Sequence, residues 1–185
     1  MTEDEILMDA EERMEKAVGF FRSELVGLRT GRTSPALIDS VRVNYYGNPT
    51  PLKQMANVSA PEPQQLIVRP FDPSVLKEIE KAILTSDLGL MPQNDGKVIR
   101  INVPALSGDQ RKKLSARVKD LGEDARVSIR NIRRDANKHV DTAEKEKTLT
   151  EDDSKRIKEE IQELTKKFES KVNDMAEKKT AEVME

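Results

Sequence analysis

The chain has 185 residues, of which 36% are charged and 3% aromatic, with no tryptophan and no cysteine. Such a length holds one domain or two small ones, and the composition is that of long, surface-rich helices rather than of a thick globular core. A formal net charge of −2 gives no global case for nucleic-acid binding, the absent cysteines exclude a disulfide framework and a thiolate metal site, and the reducing cytosol is the expected compartment.

From about Thr2 to Leu28, the residues Leu7, Ala10, Met14, Ala17, Phe21, Leu25 and Leu28 recur by threes and fours. This spacing predicts a helix with a narrow apolar seam of the kind bundled helices share. The stretch Arg29-Thr-Gly-Arg32-Thr-Ser-Pro35 then brings a glycine and a proline, which end helices. It reads as a hinge around Thr30 and Gly31 that carries two arginines, with Pro104 at the return crossing.

Between Pro35 and Pro104 the texture changes. All nine prolines lie there, and period-two alternation replaces the helical period. Val41-Arg-Val-Asn-Tyr45 alternates cleanly and runs into Tyr46-Gly-Asn-Pro49, a strand followed by a turn. Further strands are expected at Met55 to Ser59, Gln65 to Arg69 and Val98 to Val103. One short helix is expected over Pro73 to Ser86, with Gly89 just beyond its end.

At Ser107 the capping box Ser107-x-x-Gln110 restarts a helical period that runs past Val140, with Leu114, Val118, Leu121, Ala125, Ile129, Ile132 and Ala136 inward. About 40 residues at 1.5 Å each would reach roughly 60 Å. A second cap, Thr150-x-x-Asp153, opens a third helix with the seam Ile157, Ile161, Leu164, Phe168, Val172 and Met175. No helix with so narrow a seam is stable alone, so the first must join the other two. The expected architecture is α+β: a long three-helix bundle from residues 1–30 and 105–185, with a small β/α/β domain inserted at 31–104.

The chemistry-bearing residues concentrate on the second long helix. At about 100° per residue, Arg126, Arg130, Arg133 and Asn137 point from one side, and Arg134 is their neighbour. From Arg126 to Lys138 there are five basic residues against the single acid Asp135, whereas the first helix is acidic. Guanidinium forks on a rigid helix match the oxygens of phosphates or carboxylates. Taken by itself, however, a charged helix face is more often solvated, with its arginines paired to nearby acids. Whether Arg29 and Arg32 continue the basic stripe depends on the bundle register, which sequence does not fix.

Motifs for catalysis are missing. There is no Walker-type glycine loop, HExxH or G-x-S-x-G, and the lone His139 cannot form a histidine cluster. Asn94-Asp-Gly96 is ordinary turn chemistry. Tyr45-Tyr46 could stack bases, but without a second aromatic strand packing or a protein contact is the better account. The acidic N-terminus reads as neither a signal peptide nor a membrane anchor. Two classes of function stay open: an RNA-gripping binding factor, and an adaptor whose arginines only pair with acids.

Five stretches, in order, resemble the bacterial ribosome recycling factor family: Leu28-Arg-Thr-Gly-Arg-Thr-Ser-Pro35, Tyr45-Tyr-Gly-Asn-Pro-Thr-Pro51, Ser86-Asp-Leu-Gly-Leu90, Asn94-Asp-Gly96 and Val127-Ser-Ile-Arg-Asn-Ile-Arg-Arg-Asp-Ala-Asn137. The resemblance implies a three-helix bundle with an inserted β/α/β domain, an L-shaped outline and a hinge between the arms. It also implies a cytoplasmic, monomeric, non-enzymatic factor without cofactor or membrane attachment, which acts with elongation factor G and GTP to split the post-termination ribosome. The bundle would lie on large-subunit ribosomal RNA through Arg29, Arg32, Arg130 and Arg133, with Arg126 and Arg134 beside them. The sequence departs from the family at Gln110, where a positive charge is often found, and at Met184-Glu185, where some members close with an aromatic.

Overall fold

The first helix, α1, spans Glu3–Val26, and its start is set by a reciprocal cap. Thr2 N donates to the Glu5 carboxylate, and Glu5 N donates to Thr2 Oγ1. A computed structural model describes residues 1–185 and divides them into two compact units: 1–26 with 113–181, and 27–112 with 182–185. The chain therefore passes between them three times.

The first unit is a bundle of α1, most of α4 (Gly108–Lys145) and most of α5 (Glu151–Met184). Both expected caps are formed. Gln110 N donates to Ser107 Oγ while Ser107 N donates to Gln110 Oε1, and Asp153 N donates to Thr150 Oγ1 with Thr150 Oγ1 donating back to the Asp153 carboxylate. These bonds satisfy amide groups that a helix start leaves orphaned. Between α4 and α5 the chain turns through Lys147, whose φ is +58°.

Ion pairs and side-chain hydrogen bonds fix the directions of the helices. Glu3, Glu11 and Glu15 on α1 meet Arg156, Lys167 and Lys171 on α5 in the same order, so these two run parallel. On α4, Arg126, Arg130 and Arg133 meet Asn173, Glu169 and Gln162 of α5 in reverse order, so α4 is antiparallel.

The core row of α1 is Ile6, Ala10, Met14, Val18, Phe21 and Leu25, all buried. Leu7 and Ala17, expected inside, are only half-buried because Ile6 and Val18 take the central positions. Spacings of three and four fit two adjacent rows almost equally well, and only packing chooses. On α5 the same happens: Ile157, Ile161, Phe168 and Val172 are buried, Thr165 is buried with its hydroxyl on Ile161 O, and Leu164 is displaced to the core margin.

The second unit holds the sheets. Strand β1 (Arg42–Tyr45) pairs antiparallel with β2 (Asn48–Pro51), with Tyr45 opposite Asn48. The turn is thus only Tyr46-Gly47, at φ +48° and +85°. Sequence reading assigned Asn48-Pro49 to the turn, since proline weakens a strand signal. Proline is nevertheless tolerated on a short edge strand, where a missing N–H costs little.

A short helix α2 (Leu52–Met55) leads into a four-stranded antiparallel sheet of β3 (Ala56–Glu62), β4 (Gln65–Pro70), β5 (Met91–Asn94) and β6 (Ile99–Asn102), in the order β3-β4-β6-β5. Strand β5, which carries Pro92 and lies at the sheet edge, was not expected from sequence. Leu66, Val68, Ile99 and Ile101 pack under α3 (Leu76–Leu84), which contributes Leu76, Ile79 and Ile83 to the same core. The Asn94-Asp-Gly96 turn is structural. Asp95 Oδ1 accepts from Lys97 N and Val98 N, and Gly96 sits at φ +89°.

Candidate nucleic-acid interface

The arginine stripe is built on the best-packed part of α4. Ala125, Ile129, Ile132, Ala136 and Val140 bury one edge of this helix, so the backbone beneath the arginines is rigid and their forks project from fixed roots. Along the neighbouring edge runs α5, and its acceptors set the state of each arginine.

Arg126 is fully engaged. Its Nε and Nη2 lie 3.0 and 2.9 Å from Glu123 Oε2, and Nη1 donates to Asn173 Oδ1 at 2.8 Å. Arg130 bridges two carboxylates, with Nε 3.0 Å from Glu169 and Nη1 3.2 Å from Glu123. The Arg126 guanidinium, helped by Arg130, holds the Glu123 carboxyl below the usual range. Arg133 differs: its single bond is to the neutral Gln162, at 3.3 Å. Arg134 is exposed and bonds only Asn131, at 3.4 Å. Neither makes an ion pair, so two full positive charges face outward without a carboxylate.

Asn137 continues the line half-buried, with its Oδ1 enclosed and without a hydrogen-bond partner. On the opposite side of α4, Asp135 takes a 3.0 Å bond from Arg13 of α1, which depresses the Asp135 pKa.

Arg29 and Arg32 belong to the other unit. Arg29 donates to the carbonyl of Pro104, and its Nε is buried without a partner. Arg32 Nε lies 3.5 Å from the Glu185 side chain. Thr30 Oγ1 donates to Arg32 O at 3.0 Å, and a side chain on Gly31 would come 3.3 Å from the Glu185 carbonyl carbon. Thr30, Gly31 and Pro104, read from sequence as the hinge, thus sit together with the two arginines in one unit.

The sequence reading missed the acceptor row on α5. Gln162, Glu169 and Asn173 are seven and four residues apart, so they share a helix face, and that periodicity was visible. Which α4 residues they would meet was not. Their position divides the stripe into an internally paired half, Arg126 and Arg130, and an open half, Arg133 and Arg134. At the β1–β2 tip, Tyr45 and Tyr46 pack edge to face with ring centroids 4.6 Å apart, and Tyr46 is 79% exposed.

The family model described as ribosome recycling factor matches residues 21–184. Relatives named ribosome-recycling factor include one from Rhodopirellula baltica, 63% identical over 75% of this chain and 74% of its own length. Another, from Nitratidesulfovibrio vulgaris, is 46% identical over the whole of both chains. Among solved structures, a solution structure of ribosome recycling factor superposes with a TM-score of 0.79 at 37% identity, covering 98% of this chain and 97% of that one. A Thermus thermophilus factor, built with Escherichia coli elongation factor G on a post-termination complex, gives 0.69 at 44% identity with full coverage of both chains.

Proposed function

Because the chain belongs to the ribosome recycling factor family, we propose that it binds the post-termination ribosome and, with elongation factor G and GTP, promotes its splitting into subunits for a new round of translation. It acts in the cytoplasm as a monomer, without a catalytic residue or cofactor of its own, and the GTP is consumed by the elongation factor. The similar structure built with elongation factor G on a post-termination complex supports both partners. No helix is long and apolar enough to cross a membrane.

The observation that carries the reading is the open half of the α4 stripe. Arg133 and Arg134 are rooted on a packed helix, bear full charge and face no carboxylate. Ribosomal RNA presents phosphate oxygens that match their forks, and structured RNA is recognised largely through backbone and shape. Arg126, Arg130 and Asn137 flank the grip, and Arg29 and Arg32 are RNA contacts of their own unit. Each phosphate contact displaces condensed counterions, so the grip weakens as salt rises.

Replacing Arg133 with alanine should weaken binding to purified 50S subunits about tenfold and lower the salt slope by about one, with the circular-dichroism melt unchanged. Unaltered subunit affinity would sink the RNA-grip assignment. The pairing of Arg126 and Arg130 with acids favours an alternative in which the helices are a protein adaptor. Sedimentation decides between them, since an adaptor stays in the supernatant when 50S subunits pellet.

A further inference from the structure

Away from the arginine stripe, α1 and α5 leave a groove of about 590 Å³ between them. Its apolar lining is Leu7, Met8 and Leu164. Two of these, Leu7 and Leu164, are the residues that Ile6 and Thr165 displace from the core, so the apolar stripe of both helices is wider than the bundle interior uses. Met8 is 70% exposed. A flexible thioether at the edge of an apolar lining suits an adaptable contact surface.

The walls are acidic. Glu11, Glu159, Glu160 and Glu163 line the groove against two bases, Arg156 and Lys167, and Glu163 is also paired to Lys166 at 2.8 Å. Lys167 lies 3.4 Å from Glu11, and Arg156 holds Glu3 at 2.7 Å and Glu160 at 3.3 Å. Glu159 is exposed and pairs with no basic side chain. Its setting reinforces this: α1 carries eight acids against three bases, and α5 ten against eight, whereas α4 carries eleven bases against seven acids. Polyanions are therefore drawn to α4 and repelled from the groove.

We propose that the α1–α5 groove docks a basic amphipathic helix of a partner protein, with an apolar row on Leu7, Met8 and Leu164 and lysines or arginines on the glutamate walls. An RNA strand does not fit the charge, and a second copy would present the same acidic walls to themselves. The bundle thus carries two surfaces of opposite sign, one for nucleic acid and one for protein.

The test uses a fluorescein-labelled synthetic peptide with leucines at i, i+3, i+4 and i+7 and lysines elsewhere, titrated with the full chain and read by anisotropy. Binding should be saturable, and Met8→Glu and Glu159→Lys should each weaken it by about tenfold, while Tyr46→Ala leaves it unchanged. Both altered side chains are exposed, and circular dichroism verifies their fold. Methyl resonances of Leu7 and Leu164 should shift on titration. Equal affinity for a scrambled peptide of the same composition would reduce the effect to bulk charge and overturn the proposal. So would unchanged affinity in both variants, or a dimer that Met8→Glu dissolves.

Discussion

Arg130 is the residue at which internal pairing and RNA binding compete most directly. Its bond to Glu169, the largest influence on its charged form, and the second bond to Glu123 must be exchanged for a phosphate before it can contribute. Both pairs are reached by solvent, which screens them, so exchange for a phosphate is easy. Replacing Glu169 with glutamine removes one competitor. Affinity for 50S subunits should then rise by about two- to fivefold and the salt slope should steepen, both readable by filter binding. A second residue-scale effect concerns acid. The Thr150 hydroxyl and amide hold the Asp153 carboxyl below its ordinary value of 3.8. A depressed folded-state pKa contributes stability that is present above the unfolded value and lost as pH falls through the folded one. The melting temperature should therefore be nearly level from about pH 7 to 5 and fall below about pH 4, and Asp153→Asn should lie below the parent at neutral pH but converge with it in acid.

At the scale of the element, two glycines with opposite roles show what the backbone requires. Gly19 lies inside α1, with nothing within 4 Å of where a side chain would start. Alanine there should raise stability by about 1 kcal/mol, seen as a higher urea midpoint at constant slope. Gly47 has equal room but sits at φ +85° in the β1–β2 turn. Alanine there should cost about 1 kcal/mol, because the left-handed conformation is strained for any residue with a Cβ. Tyr46, at φ +48°, already bears that strain one residue earlier. A two-residue turn with both φ positive matches the twist of the flanking strands, which explains why the hairpin keeps it.

For the whole molecule, the hinge expected from sequence at Thr30, Gly31 and Pro104, all three within one compact unit, is open to a kinetic test. Gly31→Pro should slow GTP-dependent subunit splitting more than it weakens 50S binding, and equal losses in the two assays would count against a lever. Much of the architecture was legible beforehand. The caps at Ser107 and Thr150 and the extents of the three long helices follow from local chemistry, because a cap or a turn is decided by residues a few positions apart. The arginine stripe was legible for the same reason, since helical periodicity alone puts Arg126, Arg130 and Arg133 on one side. What the tertiary structure decided is which of two neighbouring rows is buried, Ile6 rather than Leu7 and Thr165 rather than Leu164, and which arginines meet acids. Both depend on the register between helices far apart in sequence. Spacing on one helix says where its side chains point, and only packing against another says what waits for them there.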